Sequence, residues 1–349
     1  MLLLMKKLLG IIILSFLWFD ISYALPDCKG EDFTKWKNCI GKFTAEDSNG
    51  SENSYHGDFG DKPGLREGFG KFISKSKEFQ YIGELKNYYP DGLGIWKLKD
   101  VTYIGEQKFD KGKHGWGIVI QANGNIIAGQ WKNDKLNGYA NIIGANDYLV
   151  LLQGYYKDNF LVKDSKDKEP QCKGKYISPI ESKNWTNCRG YASIDAAGIV
   201  YDADWINGAP TGIVSFLTFE GALSKSTGYG TGIYVGELEI DKSNGWGERD
   251  GMGINITAYS EDQTEGVISI GQYKGGFFNG KGITVWPNGD IYIGQFNKNL
   301  RHGKGIYMFK DGSWYNGNWK NAKKNGFGTV RYKDGTSYSG QFKNGKFVK

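Results

Sequence analysis

A period of 23 residues constrains this chain more than any other feature. Tyr292-Ile-Gly294-Gln-Phe296 recurs as Tyr315-Asn-Gly317-Asn-Trp319 and again as Tyr338-Ser-Gly340-Gln-Phe342. Gly271 with Tyr273 marks one earlier start. A second element follows each start, as Gly280-Lys-Gly282, His302-Gly303-Lys-Gly305 and Asn325-Gly326-Phe-Gly328. A third closes the unit, as Asn288-Gly289, Asp311-Gly312 and Asp334-Gly335. Worn copies fill the first half, starting at Tyr55, Tyr81, Tyr103, Ile127 and Gly154, and two irregular units begin at Tyr201 and Tyr234. In the unit from Tyr234, both Gly245-Trp-Gly247 and Gly251-Met-Gly253 fit the second element. A fixed period of this kind marks an open-ended stack, because no single unit can bury its own face.

The unit reads as two antiparallel strands. Alternate residues of a strand share a face. Tyr315, Gly317 and Trp319 therefore lie on one side and Asn316 and Asn318 on the other. The glycine leaves a gap that a ring from a neighbouring unit covers, and the polar opposite face predicts a half-buried sheet. Asp-Gly and Asn-Gly between such runs predict hairpin turns of type I′. Composition agrees: 52 of 349 residues are Gly, about twice the usual share, and 11 Trp and 22 Tyr supply rings to bury.

These residues resemble the MORN (membrane occupation and recognition nexus) repeat, which runs Tyr-x-Gly-x-Trp/Phe, a short Gly/Lys loop, His-Gly-x-Gly and an Asp-Gly turn. The resemblance covers roughly residues 39–162 and 188–349, with departures at Gln107, Ala140 and Ala203. It implies an all-β, elongated, twisted single-layer antiparallel sheet of successive hairpins that curls into a groove. Its repeat core would be Tyr292, Gly294, Phe296, Tyr315, Gly317, Trp319, Tyr338, Gly340 and Phe342. It also implies contacts with proteins and, further, with acidic phospholipid headgroups.

The amino terminus reads as a signal peptide over residues 1–24. Lys6 and Lys7 precede an apolar run from Leu8 to Phe19, and Ser22-Tyr23-Ala24 offers a cleavage site. The run is too short to span a bilayer. The cysteines form a repeated phrase, Cys28-Lys-Gly30…Trp36-Lys-Asn38-Cys39-Ile-Gly41 and Cys172-Lys-Gly174…Trp185-Thr-Asn187-Cys188-Arg-Gly190. Four cysteines allow three connectivities, and the duplication favours Cys28–Cys39 and Cys172–Cys188. Zinc would need closer spacing. The phrase resembles the opening segment of bacterial secreted MORN proteins. Two modules follow, 25–162 and 172–349, with a charged connection at 163–171.

No constellation suggests catalysis, a metal or a cofactor. Only three histidines exist; His114 and His302 share one repeat slot before Gly-x-Gly, and His56 has no metal-spaced companion. The Gly-x-Gly pairs lead into strands rather than helices, so they do not cradle phosphate. Glu84, Glu106 and Glu237 follow the repeat glycine and read as a solvated sheet face.

Charge is the informative asymmetry. Residues 271–349 hold fourteen Lys and Arg against three Asp and no Glu, a balance of +11, in a chain of net +6. The excess falls between paired strands at Lys298, Arg301, Lys304, Lys320, Lys323, Lys324, Lys343 and Lys346. Aligned along one edge, these form either an anion-binding ridge or a solubility device that blunts sheet edges. The sequence therefore reads as an exported (periplasmic or secreted), non-enzymatic binding or scaffold protein. It would dock a protein partner or an anionic lipid or envelope surface, and not nucleic acid. A self-associating homo-oligomer of the cell envelope is the rival reading.

Overall fold

The computed structural model describes residues 25–46, 50–75, 78–145, 150–164, 172, 185–194, 199–207, 209–218, 232–240, 247–257 and 267–348. Residues 1–24, expected as a signal peptide, and residues 165–171 of the expected connection lie outside them. Lys163 and Asp164, expected in that connection, belong instead to the strand Phe160–Asp164.

The described chain is nearly all strand. An 11-stranded antiparallel sheet runs from Cys39–Glu46 to Phe160–Asp164, and a 13-stranded one runs from Cys188–Ile194 to Lys346–Val348. In each sheet every strand pairs with its neighbours in sequence, so each is a single layer of successive hairpins. One short 3₁₀ turn, Phe33–Lys35, interrupts the pattern.

Tyr55, Tyr81, Tyr103, Tyr234, Tyr292 and Tyr315 cover glycines of their own hairpins rather than a gap filled by another unit, while Gly340 of the last unit faces Phe347. A Cβ on Gly305 would meet the Tyr292 hydroxyl at 2.3 Å, and one on Gly94 would meet the Tyr81 ring at 2.6 Å. The hydroxyl donates to the carbonyl three residues on, from Tyr81 to Glu84 at 2.6 Å, Tyr292 to Gln295 at 2.9 Å and Tyr315 to Asn318 at 2.9 Å. The repeat tryptophan seals the preceding strand, with Trp319 Nε1 donating to the Gly305 carbonyl at 3.0 Å and Trp131 to Gly117 at 3.0 Å.

The Asp-Gly turns are not type I′. Gly289, Gly312 and Gly335 have φ of +88°, +91° and +91°, while the Asn or Asp before each stays outside the left-handed region. The Gly312 N–H bonds to Phe309 and the Phe309 N–H to Ser313, which makes a type I turn closed by a glycine bulge. Type I′ geometry belongs to the other connection, where both central residues are left-handed: Lys298-Asn299, Asn321-Ala322 and Asn133-Asp134. The irregular unit from Tyr234 uses its later glycine pair, since Gly236 lies opposite Gly253 and Gly251 carries the bulge φ of +103°.

The two sheets pack face to face. Tyr, Gly and Trp/Phe of each repeat point outward, and the residue between Tyr and Gly points toward the other sheet. That inner position holds Ile82, Ile104 and Ile293, which join Ile95, Ile118, Ile254, Ile270, Ile283 and Ile306 in one apolar cluster spanning both sheets. The expected solvated second face is therefore the central core. It stays polar only locally, as at Asn316, which lies opposite Asp58.

Candidate functional site

Both disulfides are local. Cys28–Cys39 and Cys172–Cys188 span 11 and 16 residues. Each opens one sheet and covers its first strand: Cys28 N–H bonds to the Ile40 carbonyl and Cys172 N–H to that of Arg189. The amino-terminal segment then reaches the far end of the second sheet. Thr329 donates to the Leu25 carbonyl at 3.2 Å and Ser337 to Asp27 at 2.7 Å.

The carboxylates after the repeat glycine are structural latches rather than a solvated face. Glu84 accepts the Leu93 N–H at 2.9 Å, Glu106 that of Trp116 at 3.1 Å and Glu237 that of Met252 at 3.3 Å. Gln130, Gln272 and Gln295 do the same in their units. Each latch holds the bulge at the first glycine of the Gly-x-Gly pair, where φ is positive at Gly92, Gly115 and Gly251. Burial raises the Glu106 carboxyl above its ordinary value.

The basic residues of the last repeats fall into three places, not one ridge. Lys298, Lys320, Lys323, Lys343 and Lys346 are exposed at or beside the type I′ turns. Lys320, Lys323, Asn325, Gln341, Lys343 and Val348 line an open recess of about 680 Å³ at the end of the sheet. Lys304 lies on the inner side, in a smaller recess with Glu84 and Lys281, whose charges pair at 2.7 Å.

Arg301 and Lys324 are not free loop cations. Both lie on the outer aromatic face, one repeat apart. The Arg301 guanidinium sits 4.9 Å from the Trp319 ring centre, 5.0 Å from Tyr307 and 5.5 Å from Trp286. Its Nη2 donates to the Ala322 carbonyl at 3.2 Å. The Lys324 ammonium sits 4.9 Å from Tyr315 and 5.8 Å from Phe342. Burial lowers the pKa of both groups. Around them Tyr292, Phe296, Tyr315, Trp319 and Phe342 are buried, while Tyr338 is half-buried. The three acidic groups of this region are occupied: Asp290 accepts from Tyr307 and Lys310, Asp311 from Ser313, and Asp334 from Thr336.

The same cation slot, two residues before the first glycine, recurs elsewhere. Arg66 lies over Tyr55, Lys113 over Tyr103 and Trp131, and Arg249 over Tyr234 and Tyr273. The sequence reading missed this slot, although the 23-residue alignment of Arg301 with Lys324 carried the signal. It also missed Arg189, which is fully buried between the sheets. Arg189 pairs with Asp202 at 2.9 Å and lies 5.1 Å from the Tyr139 ring centre, while the Tyr139 hydroxyl donates to Asp202 at 2.7 Å. Nothing in its Cys-Arg-Gly phrase distinguishes it from the Ile40 of the other phrase.

His114 and His302 stay apart in separate repeats, and among the described residues no group of His, Cys, Asp and Glu could hold a metal ion. No described helix is long and apolar enough to cross a membrane.

The MORN repeat model matches five segments, residues 128–146, 270–291, 292–314, 315–337 and 338–348. The last four run consecutively through the basic end of the second sheet. These are modules of a non-enzymatic, binding or scaffold type, and the two disulfides are compatible with an oxidising compartment. No curated protein matches the chain. Among solved structures, the chain is similar to the TCP domain of Drosophila melanogaster SAS-4, in complex with a proline-rich motif of Ana2. Identity is 11%, over 67% of this chain and 88% of that one, with a TM-score of 0.23.

Proposed function

We propose that this chain is an exported, non-enzymatic MORN-repeat binding protein that docks a protein partner or an anionic envelope surface through the last repeats of its second sheet. One observation carries the reading: the cations of residues 271–349 outnumber the acids by eleven, and all three acids are already bonded within the fold. Export rests on the signal-peptide pattern, and the disulfides support it. Phospholipid headgroups are the nearest anionic target in an envelope, where each cation near the surface contributes about 1 kcal/mol.

The test uses mature protein starting at Leu25, anionic and neutral vesicles, and envelope extract. Binding should weaken as salt rises. Reversal of Lys320, Lys323 and Lys343 to Glu should weaken it further and leave the circular dichroism unchanged. Binding indifferent to salt and to these charges would reduce the lysines to a solubility device.

Self-association is the second reading, favoured by the terminal strand Phe160–Asp164. Phe160 and Val162 there are 75% and 61% exposed. Sedimentation showing a concentration-dependent mass, abolished by Phe160→Glu, would support it.

A further inference from the structure

The outer face of the last three hairpins combines rings and cations at a regular pitch. Trp286, Phe309 and Tyr332 occupy the same position in successive units, each at the start of an Asp-Gly or Asn-Gly turn. Arg301 and Lys324 occupy a second equivalent position beside them. Equivalent positions lie two strands apart, about 10 Å at the usual strand spacing. The rings are accessible: Phe309 is 37% exposed, Tyr332 49% and Phe347 42%, and Tyr307 and Tyr338 are half-buried beside them. Trp286, Tyr307 and Phe309 form a continuous surface with centroid separations of 5.5 and 4.7 Å. Tyr332, Tyr338 and Phe347 extend it, at 6.1 and 4.8 Å.

Among the described residues no carboxylate lies within ion-pair distance of Arg301 or Lys324; Asp290 acts on Arg301 only at longer range, and Arg301 Nε is buried without a hydrogen-bond partner. Desolvated cations of this kind gain most from an incoming carboxylate, which an Arg fork holds through two N–H groups. The strands that carry Arg301 and Lys324, Leu300–Met308 and Lys323–Arg331, are already paired on both sides, so a ligand that reaches both cations must lie across the face rather than add a strand. It must present flat apolar patches to the rings and acidic groups to the cations, with a repeat near two strand spacings.

We propose that this face binds an acidic polysaccharide in which uronic-type and neutral sugars alternate. Sugar rings present C–H faces to Trp286, Phe309 and Tyr332, and one carboxylate per disaccharide meets Arg301 and then Lys324. The proposal specifies the anionic envelope component of the preceding section and rests on that reading. It uses the outer face, whereas vesicle binding is assigned to the exposed turn lysines.

The test titrates the mature protein with hyaluronan oligosaccharides of increasing length, following tryptophan fluorescence and heat. Chitin oligosaccharides serve as the neutral control, polyglutamate as the charge-only control, and a single-stranded oligonucleotide and anionic vesicles as alternative polyanions. Affinity for hyaluronan should rise with length until three repeats are spanned, and should exceed that for chitin and polyglutamate by tenfold or more. Lys324→Met keeps the stem over its rings and removes the charge. Phe309→Ser with Tyr332→Ser removes exposed rings only. Each should weaken hyaluronan binding about tenfold with an unchanged thermal melt, while the Lys320, Lys323 and Lys343 reversal should weaken vesicle binding more. Equal binding of polyglutamate, tighter binding of the oligonucleotide, or indifference to the ring variants would overturn the proposal. Vesicle binding without hyaluronan binding would overturn it and leave the docking reading standing; loss of both would overturn it together with the anionic-surface arm of that reading.

Discussion

Asn316 donates its side-chain amide to Asp58 at 2.9 Å, across the gap between the sheets and 258 positions away in sequence. Two residues earlier on each strand, Trp314 Nε1 donates to Nδ1 of His56 at 3.4 Å with the same offset. The two strands therefore lie over one another in the same direction, in a defined register. Tyr139 with Asp202, and Asn141 with Ser215, do the same work at the other end of the molecule. Between these polar ends the contact is mostly aliphatic, and apolar burial is non-directional; the Glu84–Lys281 pair at 2.7 Å adds one more directional link across the sheets.

Asp58 and His56 should oppose one another in the pH dependence of stability. Burial pushes the Asp58 carboxyl up to about 7 from 3.8, and it pushes the His56 imidazole down to about 3 from 6.5. The raised acid contributes stability that is complete below its unfolded value of 3.8 and is lost as pH rises to about 7. The depressed histidine costs stability as pH falls from 6.5 toward 3. Relative to wild type, Asp58→Asn should gain stability with rising pH over this window and His56→Gln should lose it. Urea titrations at several pH values check this, and difference slopes of the same sign for both variants would contradict it.

The repeat glycines should divide into two energetic classes. Gly305→Ala forces a Cβ to within 2.3 Å of the Tyr292 hydroxyl, which is held by its own hydrogen bond. We expect a loss of about 2–3 kcal/mol, as for overpacking of a core. Gly312→Ala meets nothing within 4 Å but sits at φ +91°, so only backbone strain of about 1 kcal/mol applies. Equal losses in denaturant unfolding would show that the tyrosine does not police the glycine pair.

Arg189→Met should be among the most damaging changes between the sheets. It leaves Asp202 buried without its cation, keeping the bond from the Tyr139 hydroxyl, and it removes the longer contact of Arg189 with Asp204 at 3.6 Å. Removing one partner of a buried pair costs about 3–5 kcal/mol. Adding Asp202→Asn keeps an acceptor for Tyr139 and removes the orphaned charge, so the double variant should recover at least half of that loss. A purely additive double variant would mean that the pair contributes little.

The disulfides should each contribute about 3 kcal/mol in the chain-entropy model, because their closed loops span 11 and 16 residues. Peptide mapping of the oxidised protein should recover Cys28 with Cys39 and Cys172 with Cys188. Replacing the first pair by serine should also free the segment from Leu25 to Asp27, which spans from the first strand to Thr329 and Ser337. Faster amide exchange at the strand Ser337–Lys343 would report that release; unchanged exchange would argue against the clasp.

Much of the hairpin ladder was legible in the residues themselves. Tyr292, Gly294 and Phe296 sit where the two-residue alternation places them, and both cysteine pairs follow from their duplicated phrase. The turn types were not legible. Asn321-Ala322 forms a type I′ turn without any glycine to announce it, because the twist of the flanking strands imposes left-handed φ on both residues. The cations of Arg301 and Lys324 read as loop charges, since nothing in the sequence says that their stems lie across rings.

What the sequence determined by itself is local: the strands, their order and the face on which each tyrosine lies, because neighbouring residues and the two-residue alternation of a strand suffice to set them. Which face is the core, and what covers it, only the tertiary structure decided. Ile82 and Ile293 each look like a single apolar residue in a polar stripe, and Asn316 in the same repeat position argues for solvent. Their burial depends on a second sheet arriving from far along the chain. The bonds that align it, Asp58 to Asn316 and Tyr139 to Asp202, join residues with no local relationship at all.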